Sequence, residues 1–262
     1  MSVNARKGIL NELPLSECVD LRRISLIKNS ISTINGTLQC PGLRTLLLWN
    51  NTHLRSISAS FLTNVKYLAV LDLSQTSIAS LPESVGNLKH LRFLNLSQTE
   101  IEKLPKSLAH VRSLLFLDVS GCKHLCELHS GIGEHKSMVY LNVKGCKNLK
   151  SLPAGISKLI CLQSLKGVVH LEDGTFGAMT EMRDLSFKYI DPCSLLRLPK
   201  DIGVMKRLEI LHLGGCEVPK WIFHLQNLME LKLVGDNDSE HSPRTCRSFK
   251  SIPIGSLLVL DD

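Results

Sequence analysis

Leucines return along this chain at a nearly fixed interval, and that interval constrains the fold more than any other feature of the sequence. The pieces Leu68-Ala-Val-Leu71-Asp-Leu73, Leu91-Arg-Phe-Leu94-Asn-Leu96 and Leu114-Leu-Phe-Leu117-Asp-Val119 begin 23 residues apart. The same L-x-x-L-x-L frame starts at Leu21, Leu43, Leu68, Leu91, Leu114, Met138, Leu162, Met182, Leu208 and Leu228, with gaps of 20 to 26 residues. A unit this short cannot enclose a core alone; it buries its apolar face against neighbours of the same kind, so the chain grows by stacking.

Within the units the fourth and sixth positions are apolar (Leu46 and Leu48, Leu71 and Leu73, Leu94 and Leu96) and, Leu47 apart, a polar residue separates them, the period of a half-buried strand. A second apolar set follows, as in Ile78, Leu81, Val85 and Leu88, and Pro82, Pro105, Pro153 and Pro199 favour an irregular or short helical return. The expected fold is an α/β leucine-rich-repeat solenoid, a horseshoe with a concave parallel sheet and an irregular convex side. Ten strands at ~4.8 Å make a sheet about 45 Å long. Residues 1–20 read as a lead-in, 21–234 as about ten repeats, and 235–262 as a polar loop and a truncated terminal repeat. Because the chain stops mid-unit, a fragment or truncated product is expected.

The ninth position reads Asn29, Asn51, Thr76, Thr99, Cys122, Cys146 and Cys216. A small donor at this strand-to-loop corner is expected to point inward and satisfy buried carbonyls. Between Leu162 and Met182 the pattern breaks: Lys166-Gly-Val-Val-His-Leu has no recognisable corner residue.

Composition narrows the classes. With 44% hydrophobic and 21% charged residues the chain is an ordinary soluble one, without a membrane span or an N-terminal apolar core of signal-peptide length. Nine cysteines without paired flanking clusters suit a reducing, cytoplasmic setting, so the Asn-x-Ser/Thr sequons read as chance. The +7 net charge is concentrated early, with 8 Lys/Arg against 3 Asp/Glu in residues 1–67. No dense basic stripe with interleaved aromatics marks a nucleic-acid binder.

Third-position side chains face out of the sheet: Arg23, Thr45, Val70, Phe93, Phe116, Tyr140, Ser164, Asp184, Ile210 and Glu230. Val70 to Tyr140 form an apolar and aromatic column expected to stand exposed and to bind a protein. The adjacent column holds Asp72, Asn95, Asp118 and Asn142, and these eight residues make the expected partner-binding set. Asp72 and Asp118 lie two repeats apart on an open face, without the enclosure that would tune a carboxyl for acid–base work. Cys122-Lys-His124-Leu-Cys126-Glu-Leu-His129 has the look of a metal cluster, but the register disperses its side chains, and zinc needs four converging ligands. No phosphate loop, Gly-x-Ser-x-Gly or His-Glu-x-x-His motif occurs. Neither an enzymatic activity nor a cofactor is expected.

The stretch from Val70-Leu-Asp-Leu-Ser-Gln-Thr-Ser-Ile through Leu94-Asn-Leu-Ser-Gln-Thr-Glu-Ile, with its threonine corners and Leu-Pro returns, resembles the leucine-rich-repeat domain of plant intracellular nucleotide-binding disease-resistance proteins of the coiled-coil class. Leu21-Arg-Arg-Ile-Ser-Leu-Ile-Lys-Asn-Ser-Ile is similar to its opening repeat, and Ser120-Gly-Cys-Lys-His-Leu to its later cysteine-type repeats. The resemblance implies recognition of a pathogen effector or host protein, and contact between the first repeats and a nucleotide-binding module. Arg22, Arg23, Lys28 and Arg44 are the candidates for that second contact. The alternative is an intracellular repeat scaffold of the Ras-pathway or phosphatase-adaptor kind, which uses similar Leu-Pro units.

Overall fold

The computed structural model describes residues 20–168, 174–187, 199–214, 222 and 224–234, together with short strands at 2–4 and 252–253. Strands β2 (Arg23–Ser25), β4 (Thr45–Leu47), β6 (Val70–Asp72), β7 (Phe93–Asn95), β8 (Phe116–Asp118), β9 (Tyr140–Asn142), β10 (Ser164–Val168), β11 (Asp184–Phe187), β12 (Ile210–Gly214) and β13 (Glu230–Val234) each begin two residues after a repeat start. They pair in parallel in chain order. At the ends, β1 (Ser2–Asn4) joins β2 in parallel and β14 (Ile252–Pro253) joins β13 antiparallel, completing a sheet of 12 strands. The fold is the solenoid that the leucine period dictates.

The return segments hold 3-10 helical turns: η1 (Glu83–Asn87), η2 (Lys106–His110), η3 (Ser130–Glu134), η4 (Ala154–Lys158) and η5 (Lys200–Val204). Proline precedes four of them in an extended conformation, where its missing N–H breaks no ladder. In the first repeats the return instead carries a small second sheet, β3 (Thr33–Ile34) with β5 (Ser56–Ile57). Strand and return leucines meet in one core running the length of the described repeats.

The corner position works as its chemistry requires. Asn51 is fully buried and its amide donates to the Leu26 and Leu48 carbonyls, each at 2.7 Å, bridging two repeats. Thr76 and Thr99 hold their own corners through the Leu73 and Leu96 carbonyls at 2.7 Å, and the Thr99 hydroxyl also meets the Cys122 thiol of the next repeat at 3.3 Å. The Cys122 and Cys146 thiols reach back to the preceding repeat, to Leu96 O at 3.0 Å and Val119 O at 3.1 Å. Cys216 lies outside the described residues. The residue before each corner takes a positive φ: Lys28, Asn50, Gln75 and Gln98 at 55–60°, then Gly121 at 72° and Gly145 at 78°. Glycine enters this column together with the cysteine corner.

The break after Leu162 is a bulge. The pairing of β10 with β11 shifts between Lys166 and Val168, so Val168 takes the buried place that the regular frame would give to residue 167. Gly167 has φ +82°, and a Cβ there would lie 2.4 Å from the Lys144 Cα. Only glycine lets the two chains approach so closely. From β10 to β13 the strands run to four or five residues instead of three.

One core position is out of character. His135 stands where neighbouring repeats place Val111 and Leu159, is buried, and donates its Nδ1–H to the Val111 carbonyl at 2.9 Å. Burial outweighs that hydrogen bond and lowers its pKa below the ordinary value of 6.5. The unfolded chain therefore binds this proton more readily than the folded one. Stability is full above about pH 6.5 and falls as the pH drops through that value toward the depressed folded pKa. Denaturant midpoints measured at neutral and mildly acidic pH should show this loss, and His135→Leu should reduce it; an unaltered pH dependence in the variant would remove the assignment.

Candidate protein-docking face

The sheet register aligns Val70, Phe93, Phe116 and Tyr140 as cross-strand partners on β6 to β9. They form one column, but they do not stand free in water as the sequence suggests. All four are half-buried. The reason is mutual cover: Phe93 and Phe116 stack at 4.4 Å between centroids and 10° between planes, and Phe116 and Tyr140 at 4.2 Å and 2°. Lys166 caps the stack, its Nζ 5.8 Å from the Tyr140 centroid. Parallel rings that hide their faces from solvent offer their edges, the positive rim of the aromatic quadrupole.

Asp72, Asn95, Asp118 and Asn142 form the next column, and each first serves its own strand end. Their Oδ1 atoms accept the backbone N–H two residues on, from Ser74 at 2.9 Å, Ser97 at 3.0 Å, Ser120 at 2.8 Å and Lys144 at 3.0 Å. Sideways, Asn95 donates to Asp72 Oδ2 at 3.4 Å and Asn142 to Asp118 Oδ2 at 3.1 Å. These carboxylates are built into the turns that end the strands. Burial, then the Asp118 charge, raises the Tyr140 hydroxyl above its usual pKa, so it stays a neutral donor.

Beyond Tyr140 the face changes sign and pairs with itself. Lys166 meets Asp184 at 3.1 Å, and His212 meets Glu230 at 3.1 Å. The four basic N-terminal candidates do not gather at one point. Arg22 and Arg44 lie on the edge where strands enter the sheet, Arg23 heads the concave column, and Lys28 sits in the exit turn with its Nζ 5.1 Å from the Trp49 ring.

The Cys122–His129 segment is dispersed. Cys122 is buried in the corner, His124 pairs with Glu100 at 2.9 Å, and His129 Nδ1 accepts from Gly131 at 3.0 Å. Among the described residues no group of three or more His, Cys, Asp or Glu could hold a metal ion. Nor is any described helix long and apolar enough to cross a membrane.

A profile described as leucine-rich repeat region matches residues 20–144 and 83–194, most of the chain. The chain belongs to the leucine-rich-repeat family. Its curated relatives include a probable disease resistance protein of Arabidopsis thaliana, 40% identical over 78 residues, which are 29% of this chain and 9% of the relative. Disease resistance protein RFL1 of the same plant is 41% identical over 78 residues, again 29% of this chain and 9% of the relative. The chain thus spans under a tenth of the length of these relatives. Solved leucine-rich-repeat structures share the fold: the Leptospira interrogans protein LIC12759 (TM-score 0.61, 23% identity, 83% of this chain and 61% of that one). Drosophila Toll in its complex with Spätzle gives a TM-score of 0.68 at 18% identity, over 91% of this chain and 34% of that one.

Proposed function

We propose that this leucine-rich-repeat chain is the recognition part of a plant intracellular resistance protein of the nucleotide-binding, coiled-coil class, a non-enzymatic module that works in the cytoplasm. It binds a pathogen effector or a host protein on the concave face. The observation that carries the reading is the Phe93–Phe116–Tyr140 stack, a continuous aromatic ridge on successive strands beside Val70. Interfaces draw much of their energy from a few aromatic anchors. Ring edges favour a partner that brings carbonyl oxygens, carboxylates or the faces of its own aromatic residues. Asp72, Asn95, Asp118 and Asn142 flank the ridge with polar groups that orient what docks there. Arg22, Arg23, Lys28 and Arg44 make a separate, salt-sensitive contact with a nucleotide-binding domain.

Affinity capture from infected and uninfected plant tissue tests the reading, with the wild-type chain and the Phe93→Ala, Phe116→Ala double variant as baits. The expected result is a protein retained by wild type and lost from the double variant. Equal recovery on both baits would move the interface off the ridge.

A further inference from the structure

One edge of the sheet carries a pattern that the concave columns do not explain. Consider the residues two and one places before each repeat start, and the second residue of the repeat, where the chain enters the strands. Over the four repeats that begin at Leu68, Leu91, Leu114 and Met138, these positions hold Lys66, Lys89, Arg92, Arg112 and Lys136, all exposed, and no carboxylate. None of the five is in an ion pair among the described residues. Acids return at these positions only outside the stretch, at Asp20 and at Glu181 and Glu209, the last two paired with Arg207 and Arg183.

A second observation falls on the same edge. Among the described residues the exposed large hydrophobics are Tyr67 (55%), Ile160 (49%) and Met229 (72%), and each occupies one of these three positions of its repeat. Tyr67 sits amid the cations, beside His90 at 5.4 Å between rings. In a solenoid, equivalent positions stack into straight rows, so this edge is a broad lateral side, distinct from the concave groove.

We infer that the strand-entry edge docks on an anionic lipid surface. The Lys and Arg rows meet the headgroup charges, and Tyr67 sits at the interface, where amphipathic rings are at home. Cations interspersed with exposed apolar side chains are what peripheral membrane contact uses, since apolar burial and headgroup attraction add. An acidic polypeptide would call for the charges alone, whereas Tyr67 stands exposed among them and Ile160 follows one repeat beyond the stretch. This surface is separate from the aromatic ridge, so the two can fail independently.

Sedimentation of the whole chain with phosphatidylcholine vesicles, with and without phosphatidylserine, tests it. Binding is expected only with phosphatidylserine, and it should decline as salt is added. At about five-fold per basic residue, Lys66→Gln, Arg92→Gln, Arg112→Gln and Lys136→Gln together should weaken binding on the order of 100-fold or more. Tyr67→Ser should weaken it a few-fold at every salt concentration, and Phe93→Ala, Phe116→Ala should leave it unchanged. Circular dichroism melts check that the variants fold; should the quadruple variant not fold, Arg112→Gln alone with the salt series of the wild type carries the test. Absence of sedimentation with phosphatidylserine, or binding indifferent to the charge changes, overturns the inference. So does displacement by polyglutamate with no effect of Tyr67→Ser, which would assign the edge to an acidic polypeptide.

Discussion

Leu94→Ala is expected to cost about 2–5 kcal/mol of unfolding free energy, because it removes most of a fully buried side chain from the middle of the stack. Leu94 lies between Leu71 and Leu117 in the parallel ladder, so the cavity opens toward both neighbouring repeats. A solenoid has only nearest-neighbour interfaces, and a weakened layer lowers the stability of the layers on either side. Chemical denaturation should show a lower midpoint and, with the layers partly uncoupled, a broader transition. Asn95→Ala is the control. Asn95 faces out of the sheet and accepts the Ser97 N–H at 3.0 Å, so its loss should cost about 0.5–1.5 kcal/mol. Losses of the same size at both positions would put the strand one residue out of register.

Gly167→Ala should be comparably damaging, for a different reason. The positive φ of +82° costs an L-residue roughly 1–2 kcal/mol, and the new Cβ would lie 2.4 Å from the Lys144 Cα, which forces a backbone shift worth about 1–3 kcal/mol more. Gly174 separates the two contributions. It has φ +89° with nothing within 4 Å of an added methyl, so Gly174→Ala should carry only the backbone cost. Thermal melts in which Gly167→Ala is no worse than Gly174→Ala would mean that the close approach to Lys144 is relieved by the neighbouring strand at little cost.

The strand positions were legible because a period fixes them. Once Leu68, Leu91 and Leu114 align, every strand must start two residues on, and the ten expected strands do. The corner residues were legible for the same reason, from chemistry alone: a small donor is needed where the chain leaves the sheet. The bulge was less so. Gly167 at a position otherwise held by leucine, valine or phenylalanine marks the irregularity, but its resolution depends on how Val168 reaches the core beside Phe187, a matter of three-dimensional fit. The aromatic column could be placed by counting, yet counting does not tell whether rings on adjacent strands splay into water or lie face to face. Stacking leaves Phe93, Phe116 and Tyr140 half-buried and exposes edges in place of faces. The basic entry edge lay just outside the columns that face out of the sheet, and it emerges only when the residues preceding each repeat are laid side by side.

Calorimetric titration of a captured partner into the purified chain reads whether the aromatic ridge binds a protein. Phe93→Ala with Phe116→Ala should weaken that partner about 30-fold or more, corresponding to ~2 kcal/mol for the pair. Charge reversal at Arg22, Arg23 and Lys28 should leave the same affinity nearly intact. Binding that survives loss of the two rings but is abolished by reversing the basic residues would rule out the ridge and place the interface at the N-terminal repeats.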